Sequence, residues 1–211
     1  FPLSAFTSFG DYKPSLYFYI TALVELVFGL TTLAVRLPSA MAGIGTILLT
    51  YLLVLKIFGK DRKSKSIALI SAFLLAIAPW HILISRVGFE TNVSFFLDVL
   101  GLYLFISYFE EKLSKLYLII LAFIFWGLSL YTYHSARVFI PLLILFLSLI
   151  YFKKILQKKE HFIMSGTIFI LLLIPLLLKI SSPEIRQRFN ETSALATLEP
   201  ILLSNTAIAQ D

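Results

Sequence analysis

The chain has 211 residues, 59% of them hydrophobic and 14% charged, with a formal net charge of +6 and no Cys. Its mean hydropathy is +0.91. A soluble domain averages roughly 45–50% apolar and about 25% charged residues, so this composition excludes an ordinary soluble domain and points to an integral membrane protein. Without Cys there is no disulfide, thiolate metal site or Cys nucleophile.

In a membrane protein the positive charge reads as cytoplasmic loops, not as a nucleic-acid surface. The first residue is Phe, with no Met or signal peptide ahead of it, and the last stretch is the polar "LLSNTAIAQD". Both ends read as cuts, so the chain reads as a fragment of a larger protein.

The first stretch, 1–37, contains "SFGDYKPSLYFYI" at 8–20, where an Asp, a Lys and a Pro stand at the mouth of an aromatic, apolar segment. Pro14 fixes the backbone after Lys13 and can open a helix at its first turn. The apolar segment 15–29 is short: at 1.5 Å per residue it does not cross a hydrocarbon core of about 30 Å. It reads as a helix lying near the interface, with Tyr12, Tyr17 and Tyr19 at headgroup level. It could span only by taking in Gly29, Thr31 and Thr32. Six further segments have the length and apolarity of spans: 38–58, 67–84, 92–109, 117–133, 137–152 and 162–180. The fifth is short, but Arg137 can snorkel and extend its reach. The expected fold is therefore all-α, a polytopic transmembrane bundle of about six spans plus an interfacial helix. Residues 1–37 are the end of an external loop, 38–180 the membrane core and 181–211 a truncated external loop.

The loops fall into two kinds. "KIFGKDRKSKS" (56–66), "EEKLSK" (110–115) and "KKILQKKEH" (153–161) hold 11 of the 18 Lys and Arg, which makes them cytoplasmic. The remaining loops, 1–37, 78–92, 133–137 and 181–211, then face outward. They carry Asp11, Lys13, Arg36, Arg86, Glu90, His134 and Arg137 beside membrane ends, where ionisable groups mark sites for charged ligands. Taken singly, each also reads as an interfacial anchor or a salt-bridge partner. Lys13 and the arginines suit a phosphate or pyrophosphate at the membrane surface, Lys as a point charge and Arg as a planar fork.

Glu90, Ser94 and Asp98 are spaced i, i+4, i+8 and share one helix face, with Asp98 about 12 Å deeper than Glu90. Asp98 reads either as a functional acid or as a protonated side chain bonded to a neighbouring helix. In "SLYTYHSARVFIP", Tyr131 and Tyr133 could stack on a sugar, and His134 and Arg137 could bind polar groups; the alternative is a tight helix hairpin with an aromatic belt. Trp80 and His81 have the same two readings. There is no Walker-type loop or dinucleotide fingerprint. His81, His134 and His161 are too far apart for zinc-ligand spacing. "NVS" (92–94) and "NET" (190–192) match the glycosylation pattern at chance level.

Four stretches occur in a telling order: "PLSAFTSFGDYKPSLYFYI", "AVRLPSAMAGIGTILLTYLLVLKIFG", "APWHILISRVGFETNVSFFLDVLGLYLF" and "LSLYTYHSARVFIPLLIL". Together they resemble the bacterial branch of glycosyltransferase family 39, relatives of the protein O-mannosyltransferases and aminoarabinose transferases, from about residue 2 to about residue 193. The resemblance implies a GT-C class membrane enzyme that moves a sugar from a polyprenyl-phosphate donor to an acceptor on the external face, with inversion. Lys13-Pro14 match the pair that contacts the donor phosphate in that family, and Glu90 matches an acidic residue of the active-site cavity by its place after "SRVGF". The family's presumed base, an Asp, would lie upstream of Phe1, so the catalytic residue itself is unknown here, and this chain alone is expected to be inactive.

The resulting expectation has Lys13, Arg86 and Arg137 at the donor phosphate, and Asp11, Glu90, Tyr133 and His134 in the active-site cavity. Asp11 orients Lys13 or helps to hold an acceptor or a divalent cation; no metal ligands and no certain cofactor are assigned. The partners are the lipid-linked donor, an acceptor protein, lipid or glycan, and membrane lipids, with no nucleic acid; the location is the cell membrane. Two other readings compete. A flippase for an anionic lipid would often show inverted repeats, and neither half of the chain resembles the other. A non-catalytic membrane scaffold would tolerate neutralisation of Lys13, Glu90 and Arg137.

Overall fold

The computed structural model describes the backbone of residues 5–8, 11–110 and 115–178, and side chains from Lys13 onward within those ranges. The described chain is a helical membrane-type bundle preceded by one small hairpin. Strands β1 (Ala5–Ser8) and β2 (Asp11–Pro14) pair antiparallel, with Phe6 opposite Lys13 and Ser8 opposite Asp11. Nine helices follow among the described residues: α1 (Leu16–Phe28), α2 (Thr32–Phe58), α3 (Arg62–Ile77), α4 (Pro79–Arg86), α5 (Glu90–Glu110), α6 (Leu116–Leu130), α7 (Ala136–Ile150), α8 (Phe152–Gln157) and α9 (Lys159–Leu178).

By length and composition α2, α5 and α9 can each cross a membrane, and α3 with α4 makes a fourth candidate as one bent span. Helices α6 and α7 are apolar but shorter, at 15 residues each. Helix α1 has 13 residues, about 20 Å of length against a core of about 30 Å. Gly29, at φ 70°, ends it in a conformation that a side chain would strain.

Two expected boundaries move. Helix α2 begins at Thr32, six residues before the expected span. Thr31 caps it, its hydroxyl accepting from Ala34 N at 3.1 Å. The segment 67–84 is not one helix: α3 and α4 meet at 58°. Pro79 has no N–H to donate and crowds the residue before it. Ala78 accordingly takes an extended conformation, φ −64° and ψ 123°, and Pro79 starts the new helix.

The centre of the bundle is α5, packed between α2 and α6, with α9 on the far side of α6. Phe105, Ile119, Phe123, Trp126, Ile140 and Phe169 build one buried cluster from α5, α6, α7 and α9; Tyr17, Ala42, Val93 and Leu97 build a second from α1, α2 and α5. Between membrane helices, close approach depends on small residues. A Cβ at Gly101 would overlap the Trp126 indole, and one at Gly43 would overlap the Ser85 side chain. Polar groups add directed contacts. Asn92 Nδ2 donates to Ser39 O at 2.6 Å and to Ser85 Oγ at 3.2 Å, tying α5 to α2 and α4. The Ser94 and Ser129 hydroxyls bond across α5 and α6 at 2.8 Å.

Helices α2 and α5 run parallel, since Ser39 meets Asn92 near one end and Gly45 meets Phe96 further along. The bundle consequently has two distinct ends. At one, Lys154 pairs with Glu110 at 3.4 Å, Tyr108 bonds His161 at 2.9 Å, and Asp61 caps α3. The Ser64 hydroxyl there bonds to both the Asp61 carboxylate and Phe58 O, which holds the carboxyl of Asp61 below its ordinary range. The candidate site residues gather at the other end.

Candidate functional site

The hairpin and α1 are fixed to the bundle at two points. Leu16 N donates to Tyr131 O at 3.0 Å, joining the start of α1 to the α6–α7 turn. The Tyr17 hydroxyl donates to Val35 O at 2.8 Å, joining α1 to the start of α2. Pro14 and Ser15 are buried between these ties, so the backbone leading out of Lys13 is held firmly.

A cavity of 320 Å³ opens there, lined by Lys13, Tyr17, Phe18, Thr21, Glu25, Val35, Gly88 and Glu90. Its volume sits within the range of about 300–1,000 Å³ usual for small-molecule pockets. Five elements contribute: β2 supplies Lys13, α1 supplies Tyr17, Thr21 and Glu25 at i, i+4, i+8 on one face, α2 supplies Val35, the α4–α5 turn supplies Gly88, and α5 supplies Glu90. Gly88 sits at φ 49°, and a Cβ there would lie 3.2 Å from both the Tyr17 hydroxyl and Val35 O. A side chain there would be strained by the positive φ and would push these two neighbours back by a few tenths of an ångström.

The electrostatics are mixed: one ammonium and two carboxylates share the space with two hydroxyls. Burial pushes the Tyr17 phenol up to about 12, so it stays a neutral donor. The Thr21 hydroxyl oxygen is buried with no hydrogen-bond partner among the described residues. A larger groove of 580 Å³ borders α1, but its lining is apolar apart from Tyr19 and Glu25 and holds no cation.

The other expected site residues lie at the same end in different settings. Arg137 folds back on α6, its Nε donating to Leu130 O at 3.3 Å, where a cation meets the negative end of a helix. Its Nη2 is buried and has no partner among the described residues. Tyr133 and His134 are half-buried in the α6–α7 turn. Arg86 lines a separate groove with Arg36 and His81. Asp11 lies on β2, and its side chain falls outside the described residues, as does any contact of residues 179–211.

The i, i+4, i+8 set on α5 divides. Glu90 enters the cavity and Ser94 serves helix packing. Asp98 is deeper, its backbone carbonyl accepting from Trp126 Nε1 at 3.2 Å and its Oδ1 buried without a partner among the described residues. Sequence reasoning missed Thr21 and Glu25 and took Tyr17 for a headgroup anchor. The available signal was their shared helix face with an acid inside an apolar helix. No group of three His, Asp or Glu gathers at metal-binding range among the described residues.

The profile of one family, described as dolichyl-phosphate-mannose-protein mannosyltransferase, matches residues 12–178. The chain belongs to this family. The match runs from the strand that carries Lys13 to the end of α9, so it covers the cavity and the bundle that frames it. Among curated relatives, "Putative mannosyltransferase YkcB" of Bacillus subtilis (strain 168) is 36% identical over 74 residues, 35% of this chain and 10% of that protein. "Putative mannosyltransferase YycA" of the same organism is 32% identical over 89 residues, 42% of this chain and 12% of that protein. An uncharacterized protein of Aquifex aeolicus (strain VF5) is 33% identical over 163 residues, 76% of this chain. The chain spans about a third or less of each of these relatives: 10%, 31% and 12% of their lengths. No solved structure matches it.

Proposed function

We propose that this chain is the donor-binding part of a membrane glycosyltransferase of the GT-C class, which moves a sugar from a polyprenyl-phosphate carrier to an acceptor on the external face of the cell membrane. The observation that carries this reading is the meeting of Lys13 and Glu90 in one cavity, although 77 positions separate them in the chain. A cation beside carboxylates, reached from an interfacial helix, is what a lipid-linked sugar phosphate calls for. The phosphate needs the cation, the sugar hydroxyls need acceptors, and the tail needs an apolar approach. The exposed Leu23, Leu26 and Val27 of α1 give that approach.

In this mechanism the polyprenyl phosphate is the leaving group. The acceptor's hydroxyl or amine bonds to the anomeric carbon as the bond from that carbon to the phosphate oxygen breaks, its proton passes to a general base of the intact protein, and Lys13 offsets the negative charge that grows on the phosphate. The unpartnered Nη2 of Arg137 is a second donor at the same end of the bundle. Glu90 and Glu25 accept from hydroxyls of the sugar or of the acceptor, and Tyr17 and Thr21 shape the floor.

The test is transfer from a radiolabelled polyprenyl-phosphate sugar by the intact protein in detergent. Lys13→Ala should lower turnover by about 10²–10³, the scale of losing one preorganised charge contact, and Lys13→Arg should recover part of it. A Lys13→Ala protein that keeps more than half of its turnover would remove Lys13 from the mechanism.

A further inference from the structure

Neighbouring positions here line two different cavities. Val35 and Gly88 line the Lys13 cavity, whereas Arg36 and Arg86 line a second groove of 300 Å³ between α2, α3 and α4. The start of α2 and the α4–α5 turn therefore form a wall between two compartments. The second has a different character. Beyond the two guanidiniums its lining is Ala40, Gly43, Ile44, Ile47, Ala76 and Ile82, with Ser85 and His81, and no carboxylate. Ile47 is eleven residues beyond Arg36, about 16 Å further along the helix axis. The groove thus begins at two cations and continues as an apolar strip towards the bundle's middle. Ile44 and Ile82 are exposed along it, so it opens sideways to the surface that the bilayer covers.

A further polar group completes the set. His81 is 2% exposed. Its Nε2 lies 3.3 Å from Gly43 O, and its Nδ1 is buried with no hydrogen-bond partner among the described residues. The 58° bend between α3 and α4 brings this ring against α2.

From these features we infer that the Arg36–Arg86 groove binds an anionic membrane phospholipid. The two guanidiniums grip the phosphodiester and one acyl chain lies along Ile44, Ile47 and Ile82. A guanidinium suits a phosphate, and the apolar strip that continues from the two Arg suits an acyl chain. With no carboxylate and no Lys in its lining, the groove offers few acceptors for sugar hydroxyls, and His81 is its one titratable group besides the two Arg. It is therefore a lipid seat next to the transfer site, not a second transfer site, and its occupant braces the wall from behind.

The experiment uses the intact protein in nanodiscs of phosphatidylcholine with a small fraction of phosphatidylglycerol, and reads the lipid retained after transfer to detergent by native mass spectrometry. The wild type should retain phosphatidylglycerol, and Arg36→Gln/Arg86→Gln should weaken retention about tenfold or more, the scale of losing a charge-assisted hydrogen bond. Lys13→Gln, on the other side of the wall, should leave retention unchanged. Ile44→Trp obstructs the apolar strip without touching either Arg and should also lower retention, so a misfolded double variant would not remove the test. Equal retention by wild type, double variant and Ile44→Trp would overturn the inference. So would retention of added polyprenyl phosphate in place of phosphatidylglycerol, which would make the groove part of the donor site.

Discussion

Tyr17 is the residue on which the site most visibly turns. It is 5% exposed, bonds to Val35 O, and lines the cavity with its hydroxyl beside Gly88. Its raised pKa has a consequence for stability. The phenol is neutral in both states below its ordinary value of 10, and the folded state resists ionisation up to about 12. The unfolded chain therefore loses its proton first as pH rises, and folded stability should fall between pH 10 and 12. Tyr17→Phe should flatten that limb of a thermal-stability profile, while lowering stability at neutral pH through the lost bond to Val35. A profile equally steep in the variant would show that Tyr17 does not titrate there. At this scale the sequence made Lys13 and Glu90 legible, because isolated charges at the ends of apolar segments stand out. It did not make Tyr17, Thr21 and Glu25 legible as a set. Tyrosine near a membrane end is common as an anchor, and only packing against α2 and α5 buries this one. Nor could spacing separate Arg86 from Lys13, since that needs the two sides of the wall.

Among the elements, the α3–α4 pair shows how one residue redirects a span. Hydropathy runs unbroken across 67–84, so pattern reading yields one helix; the missing N–H of Pro79 yields two. Replacing Pro79 by Ala restores a donor and relaxes Ala78. The bend should shrink from 58° towards a continuous helix. Because the chain has no Cys, spin labels at Lys63→Cys and Leu83→Cys would report this as a longer distance by double electron–electron resonance. An unchanged distance would assign the bend to tertiary packing, with His81 against Gly43 as its cause. The α2 boundary was missed for a related reason. The expected span began at residue 38, where the unbroken apolar run starts, whereas α2 starts at the Thr31 cap and carries Pro38 inside it.

For the whole molecule, the described residues of the basic loops and the candidate site residues occupy opposite ends. Hydropathy captured the bundle because lipid-facing helices must be apolar. It could not supply the pairing of α2 with α5 or the short reach of α6; the short reach of α7 was already visible in its 16-residue segment, 137–152. The external placement of the site is open to a labelling test in intact cells with a membrane-impermeant maleimide. Single Cys residues belong at Ser135 and Lys63, both exposed, whereas Ser64 is buried under its bonds to Asp61 and Phe58. Ser135→Cys should label and Lys63→Cys should not. The reverse pattern would turn the cavity towards the cytoplasm and end the external-transfer reading.

The bond from Leu16 N to Tyr131 O also sets a schedule. Its partners are 115 positions apart in the chain, so a ribosome adding about 5–20 residues per second makes the first on the order of ten seconds before the second. During that interval the Tyr17 hydroxyl can already reach Val35 O, and every residue that lines the cavity has been made, but the N–H of Leu16 has no acceptor. A nascent chain arrested before the α6–α7 turn would hold all the lining residues and still leave the backbone beside Lys13 without its second tie.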